Sequence, residues 1–283
     1  MILIDYNGIA IGNVVVQRLA ADENLIRHMI LNSIRMYRQK FGNEYGEVVI
    51  VADGANNWRK EVFPQYKASR KKSRDASSID WNEVFRVINM VRDEIRDNFP
   101  YKVMHQHGCE ADDVIAQIAL QTQEFGKHEP VMIVSADKDF IQLQKHKNIR
   151  QFSPMTKKYV TDPNPHKYMM EHIFRGDGGD GVPNVLSDDN VFVEGRRQSP
   201  VTKKKIEEWR SADNLQAAMG NDIYRNYQRN QRMIDLTMTP DNIKQEIIET
   251  YDSQNPLSNK GKVFPYLIAK RCKLLMENVQ EFI

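Results

Sequence analysis

Several short apolar runs in this chain end in acids, and that placement points to chemistry. Ile2-Leu3-Ile4 ends at Asp5, and Val48 to Ala52 ends at Asp53. Val131 to Val134 is followed by Ser135-Ala136-Asp137, with Asp139 two residues on. Glu110, Asp112 and Asp113 open another apolar-periodic stretch, and Asp177 and Asp180 sit in the glycine-rich turn Gly176 to Asn184. Carboxylates converging from separate elements suit magnesium, which takes oxygen ligands in octahedral geometry and keeps several waters. Two such ions can clamp the attacking and leaving oxygens of an in-line displacement. Each acid alone has a plainer explanation: a strand-end aspartate is commonly a turn residue, and acids in a helix's first turn favour its positive end. Together they are harder to place without a cation, because many like charges on one rim cost stability.

A basic segment follows Asp53. Between Arg59 and Arg74 there are seven basic residues and one acid. Arg59, Lys60, Lys67, Arg70, Lys71, Lys72 and Arg74 are interleaved with Trp58, Phe63 and Tyr66. Cations contact phosphates, and aromatic rings offer surfaces for base stacking. A solvated loop would have a similar composition, but this one would overhang the acidic rim. It is poor in aliphatics, so 58–79 is expected to lie outside the core. A second, weaker cationic point is Lys203-Lys204-Lys205, on a helix expected to start at Ser199-Pro200. A helix start offers N–H groups to phosphate, although lysines on a solvated helix face are common.

The elements that must position these residues alternate. The spacing predicts a helix over Leu25 to Phe41, an amphipathic helix over Trp81 to Asn98, and a helix over Glu110 to Gln123. A short helix is expected over Asp139 to His146. Strands are predicted at Met1 to Asp5, Val48 to Asp53, Tyr101 to Gln106 and Val131 to Val134, with Ile149 to Phe152 as the last. Continuous apolar, β-branched runs suit a buried parallel sheet, and alternation with helices implies an α/β layered domain. Ligands bind beyond the carboxyl ends of such strands, where Asp5, Asp53 and Asp137 all fall. Beyond Thr161 the character changes: a helix is expected over His166 to Arg175, then the glycine-rich turn, then mostly helix to Ile283. The division is therefore a catalytic domain over 1–160, with the basic arch at about 57–80, and a helical region over 161–283 packed on the sheet domain.

Composition bounds the remainder. Hydrophobic residues are 41% and charged residues 28% of the 283, as in a soluble globular protein. The net charge of +2 conceals the segregation described above. No apolar run approaches the ~18 residues of a membrane span, and the opening strand turns polar too quickly for a signal peptide. Cys109 and Cys272 fit neither a disulfide framework nor a zinc site, which suggests a reducing compartment.

Taken in order, the blocks resemble the 5′ nuclease superfamily of flap endonucleases and 5′–3′ exonucleases, and within it the ribonuclease H branch of T-even bacteriophages. The carrying motifs are Leu3-Ile4-Asp5, Val51-Ala52-Asp53 with Trp58-Arg59, Tyr66-Lys67-Ala68-Ser69-Arg70, and Glu110-Ala111-Asp112-Asp113. They continue with Ser135-Ala136-Asp137-Lys138-Asp139-Phe140 and Gly176-Asp177-Gly178-Gly179-Asp180. Val193-Glu194-Gly195-Arg196 followed by Pro200 also looks like the phage branch. The resemblance implies a PIN-like, mainly parallel sheet with flanking helices, a helical arch over the active site, and a C-terminal helix-hairpin-helix-like DNA-binding element. It implies that Asp5, Asp53, Asp112 and Asp137 form a first metal site with Glu110 nearby. Asp139, Asp177 and Asp180 would hold a second ion, partly through water. Tyr66, Lys67 and Arg70 would lie near the scissile phosphate. Two magnesium ions, with manganese able to substitute, and DNA or RNA–DNA duplexes with 5′ ends, flaps or forks are the implied cofactors and substrates. The implied setting is a bacterial host's cytoplasm, with no membrane, where the enzyme removes RNA primers and flaps in replication. A replication single-strand-binding protein or sliding clamp is the implied partner. No N-terminal extension is expected to recruit a clamp, and Gln280 to Ile283 is an incomplete match to a clamp-binding peptide. Gly181 stands where many members have Asn, and Val185 to Phe192 lacks the Gly-x-Gly hairpin of cellular relatives, so a potassium-binding hairpin is not expected.

Rival readings share parts of the pattern. A PIN-type ribonuclease acting on single-stranded RNA would keep the acidic rim but not need the arch or the helical C-terminal region. A haloacid-dehalogenase-like phosphatase expects a second acid two residues after the strand-end aspartate, where Asn7 stands. A dinucleotide-binding dehydrogenase expects Gly-x-Gly-x-x-Gly after the first strand. A non-catalytic nucleic-acid-binding scaffold would have no use for the intact acidic set.

Overall fold

The computed structural model describes residues 1–17 and 22–283, and for 71–73 and 125 the backbone alone. Its centre is a six-stranded sheet built from β1 (Ile2–Asp5), β2 (Val48–Ala52), β3 (Lys102–His105), β4 (Val131–Val134), β5 (Ile149–Ser153) and β6 (Lys158–Val160), in the order β3-β2-β1-β4-β5-β6. The first five strands are parallel, and β6 pairs antiparallel with β5. The order reverses between β1 and β4, which places the fold's switch point where the ends of those two strands meet.

Helices flank both faces. In chain order they are α1 (Tyr6–Gln17), α2 (Glu23–Tyr45), α3 (Arg59–Val62), α4 (Ala68–Asp75), α5 (Trp81–Asn98) and α6 (Ala111–Gln121). The rest are α7 (Pro165–Arg175), α8 (Lys203–Arg210), α9 (Leu215–Met219), α10 (Asn221–Ile234), α11 (Asp241–Ser253), α12 (Val263–Ala269) and α13 (Lys273–Met276). Caps set several starts: Asp22 accepts from Leu25, Asp80 from Glu83, and Asn164 from Lys167 ahead of Pro165. Strand alternation sorts the core into two layers. Ile2, Ile4, Val48, Ile50, Met132 and Val134 face α1, α2, α5 and α12. Leu3, Val49, Val51, Val131 and Ile133 face α6 and α11.

Three local expectations are corrected, and one helix is added. The run Ile149 to Phe152 is not the last strand, because the turn after Ser153 returns the chain as β6 along its edge. The helix expected from Ser199-Pro200 starts at Lys203, where the Thr202 side chain accepts from the Lys205 N–H. Tyr6–Gln17 is a helix that the sequence reading did not assign. Most consequentially, the segment from Trp58 is not wholly outside the core. Trp58, Arg59, Phe63 and Tyr66 are buried between exposed Lys60, Glu61, Val62 and Pro64, and from Ala68 onward the described side chains are largely exposed. The side chains of Lys71 and Lys72 lie outside the described residues. Among the described residues, no helix is long and apolar enough to cross a membrane.

Candidate active site

Asp5 is the last residue of β1. Its Oδ1 accepts from the Gly8 N–H at 2.8 Å and its Oδ2 from the Ser135 hydroxyl at 2.8 Å. A Cβ at position 8 would lie 2.5 Å from Asp5 Oδ2, so a larger residue there would displace that carboxylate. Asp53 follows β2, and its Oδ1 accepts from the Ala111 N–H at 3.0 Å, at the start of α6. Asp137 follows β4, with its N–H on the Ser135 hydroxyl and its carboxylate accepting from the Asp139 N–H at 2.8 Å. Asp112 projects from the first turn of α6. The ends of three strands and one helix thus bring Asp5, Asp53, Asp112 and Asp137 close enough to feel one another's charge.

That proximity is unfavourable without a cation. Surrounding protein removes water from Asp5, and the charges of Asp53 and Asp137 add to the effect, so its pKa rises to about 6 despite two hydrogen bonds. Dehydration, then Asp137 and Asp5, push Asp112 well above the usual carboxylate range. Asp53 and Asp137 are raised mainly by dehydration too, although their outer edges meet solvent. Asp139 climbs to about 7 through burial and the Asp137 charge. Asp5, Asp53, Asp112 and Asp137, each holding its proton more tightly than a free carboxylate, form an oxygen-only set that a hard divalent cation would relieve.

Cations of the chain stand opposite. Tyr66 donates its hydroxyl to Glu110 at 2.8 Å and Asp180 at 3.0 Å. Lys67 pairs with Glu110 and lies 3.4 Å from Asp180, and Arg70 also pairs with Asp180. Burial works against the charge on Lys67, but Glu110 and Asp180 outweigh it and hold its pKa above the ordinary value. Lys67 adopts a left-handed backbone with φ 57, a conformation costly for lysine, held by its N–H on Asp180 O at 2.7 Å.

The structure separates Arg59 from the other basic residues. Expected on nucleic acid, it is instead buried, with Nη1 and Nη2 on Asp113 at 2.7 and 2.9 Å and Nε on Met233 O at 2.9 Å. A guanidinium so enclosed cannot reach a phosphate. Asp113 also accepts from Thr239 at 2.6 Å and from the Glu110 N–H at 3.1 Å, so it braces α6 and takes no part in the acidic set. Lys60, Arg74 and Lys203, Lys204 and Lys205 are exposed.

Among the described residues, Asp139, His172 and Asp177 form a group whose ligand atoms all lie within 4.8 Å of one another. Asp177 and Asp139 were expected together, whereas Asp180 turns its oxygens to Tyr66, Lys67 and Arg70. Gly176, with φ 68, reverses the chain after α7 and returns Asp177 toward His172. A Cβ at Gly176 would lie 2.4 Å from Val182 O. The sequence reading missed His172, which carried no signal beyond lying in the last turn before that glycine. It also gave Ser135 no role, although Ser135 joins Asp5 to Asp137.

The 5′–3′ exonuclease N-terminal resolvase-like domain matches residues 2–171, and the T4 RNase H C-terminal domain matches 164–282. The chain belongs to the 5′–3′ exonuclease family. Ribonuclease H of Enterobacteria phage T4 is 33% identical over 99% of this chain and 95% of its own length. The flap endonuclease Xni of Shewanella piezotolerans is 32% identical over 49% of this chain and 53% of its own. Among solved structures, the T5 D15 protein co-crystallised with metal ions aligns with TM-score 0.61 at 16% identity, over 88% of this chain and 98% of its own. A T5 D15 flap endonuclease complex with DNA and metal ions aligns with TM-score 0.60 at 17% identity, over 89% of this chain and all of its own. The PIN-like, mainly parallel fold is common to these 5′–3′ exonuclease-family chains, and the acidic cluster of this member lies at its sheet's switch point.

Proposed function

We propose that this family member is a magnesium-dependent, structure-specific 5′ nuclease. It hydrolyses phosphodiesters at the 5′ ends, flaps and forks of DNA and RNA–DNA duplexes, with 5′–3′ exonuclease, flap endonuclease and RNase H activity. The observation that carries this reading is the convergence of Asp5, Asp53, Asp112 and Asp137 on one rim, opposite Lys67 and Arg70. Those four residues would hold a first ion, and Asp139 and Asp177 would hold a second, joined by Asp180 once Lys67 and Arg70 release it. Bound magnesium, or manganese in its place, supplies a water of lowered pKa and neutralises charge on the phosphoryl group.

The protein's own groups do the positioning. Lys67 and Arg70, engaged by Glu110 and Asp180 in the free protein, exchange those partners for the scissile phosphate. Tyr66 holds Glu110 and Asp180 in place from beneath. Lys60, Lys71, Lys72 and Arg74 on the arch, with Lys203, Lys204 and Lys205 at the start of α8, take phosphates further along. Such contacts position a substrate without reading its sequence. The setting is primer and flap removal in a bacterial host's cytoplasm, with a single-strand-binding protein or sliding clamp as partner. A cleavage assay with and without magnesium on flap, nicked and single-stranded substrates tests the reading. Cutting confined to single-stranded RNA, or persisting in chelator, would defeat it.

A further inference from the structure

Resting on the two-ion reading above, we infer that His172 supplies an imidazole nitrogen to the second ion, so that this position favours manganese or a similar transition ion over magnesium. His172 Nδ1 lies 3.2 Å from Asp139 Oδ1, and Nε2 lies 3.6 Å from Asp177 Oδ2. Both are ion-pair contacts, and 3.6 Å is too long for a hydrogen bond. Two ligands of one ion, each about 2.1 Å from it, sit about 3.0–4.2 Å apart. The gap between Nε2 and Asp177 therefore fits an ion, and the Asp139 carboxylate beside Nδ1 is placed to orient the ring and set its tautomer.

Neighbouring residues restrain the ring further. His172 is on the last turn of α7, which packs against the short 3₁₀ segment Lys138–Lys145 carrying Asp139. Tyr168, one turn earlier, meets the imidazole edge-on with ring centres 6.0 Å apart. Asp177 is fixed separately, its Oδ1 accepting from the Gly179 and Asp180 N–H groups at 2.8 and 3.2 Å, which leaves Oδ2 toward the histidine. The first site offers carboxylate oxygens only. The second offers a nitrogen as well, and imidazole favours transition ions over magnesium, which prefers oxygen. The two positions would thus differ in metal preference.

The test is metal binding by the full chain without nucleic acid. Pulsed electron paramagnetic resonance on the manganese-loaded wild type should show a directly coupled nitrogen, and ¹⁵N-histidine labelling should change its signature. Calorimetric titration of His172→Gln should weaken one manganese site by about tenfold or more while magnesium binding shifts far less. An unaltered far-UV spectrum for the variant keeps the comparison fair, and the wild-type resonance needs no variant. Two bound manganese ions with no coupled nitrogen, or equal losses for both metals, would overturn the role of His172 alone. A wild type that binds no divalent ion would overturn the two-ion reading with it.

Discussion

At the scale of single residues, the acidic rim places function against stability. Asp112 is pushed far above the usual carboxylate range by dehydration and by Asp137 and Asp5. Asp112→Asn keeps the volume and removes the repulsion. We expect it to melt higher than wild type in chelator while losing roughly 10²-fold or more in cleavage. DNA binding should be largely kept, since affinity comes mainly from cations on phosphates. Near-normal cleavage in magnesium would remove Asp112 from the catalytic set. The pH dependence has a definite sign. Asp5 at about 6 and Asp139 at about 7 hold protons more tightly folded than unfolded. His172 is also raised: burial opposes its charge, but Asp177 and Asp139 outweigh that. All three contribute stability that is present at low pH and lost as pH rises through their folded values. The carboxyls held low, Asp113, Glu110 and Asp177, lose their contribution only below about pH 4. Metal-free protein should therefore melt roughly 3 °C or more higher at pH 5 than at pH 7.5, and saturating divalent metal should reverse that trend. A melting temperature in chelator that is flat or falls on acidification would show that the rim carboxylates are not strained.

At the scale of elements, the arch shows where the sequence was readable and where it was not. The acids that end β1, β2 and β4 could be placed on one rim because buried parallel strands are continuous apolar runs with a common polarity. The base of the arch could not be resolved this way. Arg59 and Lys60 are adjacent and chemically alike, yet one is enclosed by Asp113 and Met233 O and the other exposed. Their difference is set by α6 and by the chain near residue 233, and nothing local announces it. His172 was hidden for the same reason, since its partners lie on the 3₁₀ segment and beyond a glycine reversal. Arg59→Ala would leave Asp113 charged and buried without a counter-charge, at a cost of about 3–5 kcal/mol, or roughly 10 °C in melting temperature. Lys60→Ala should melt like wild type and weaken DNA binding in low salt. If Arg59→Ala melts normally and loses DNA affinity instead, the guanidinium serves phosphate, as its place in the basic run had suggested.

At the scale of the whole molecule, a mainly parallel sheet and the helical C-terminal region follow from the alternation of elements. The limits of independent folding do not. A division at 160/161 separates a sheet from helices that complete both of its faces. Val263, Tyr266, Leu267, Leu275 and Phe282 are buried with α2 and α5 on one side. Leu236, Ile243 and Ile247 are buried with α6 on the other. Fully burying one large apolar side chain is worth about 1.5–3 kcal/mol. Eight of them together match or exceed the about 5–15 kcal/mol by which a folded protein is normally stable. Asp113 would lose Thr239, and Arg59 would lose Met233 O, so the arch base would loosen as well. The catalytic segment is therefore expected to need the C-terminal region for folding as well as for holding DNA. The full chain should unfold in urea as one transition by near-UV and far-UV circular dichroism. A fragment of residues 1–160 should unfold without cooperativity, bind a hydrophobic dye and show no cleavage at any metal concentration. A fragment that unfolded sharply, with a midpoint near that of the full chain, would mean that the sheet is self-sufficient and that the later helices are a separable DNA-binding attachment.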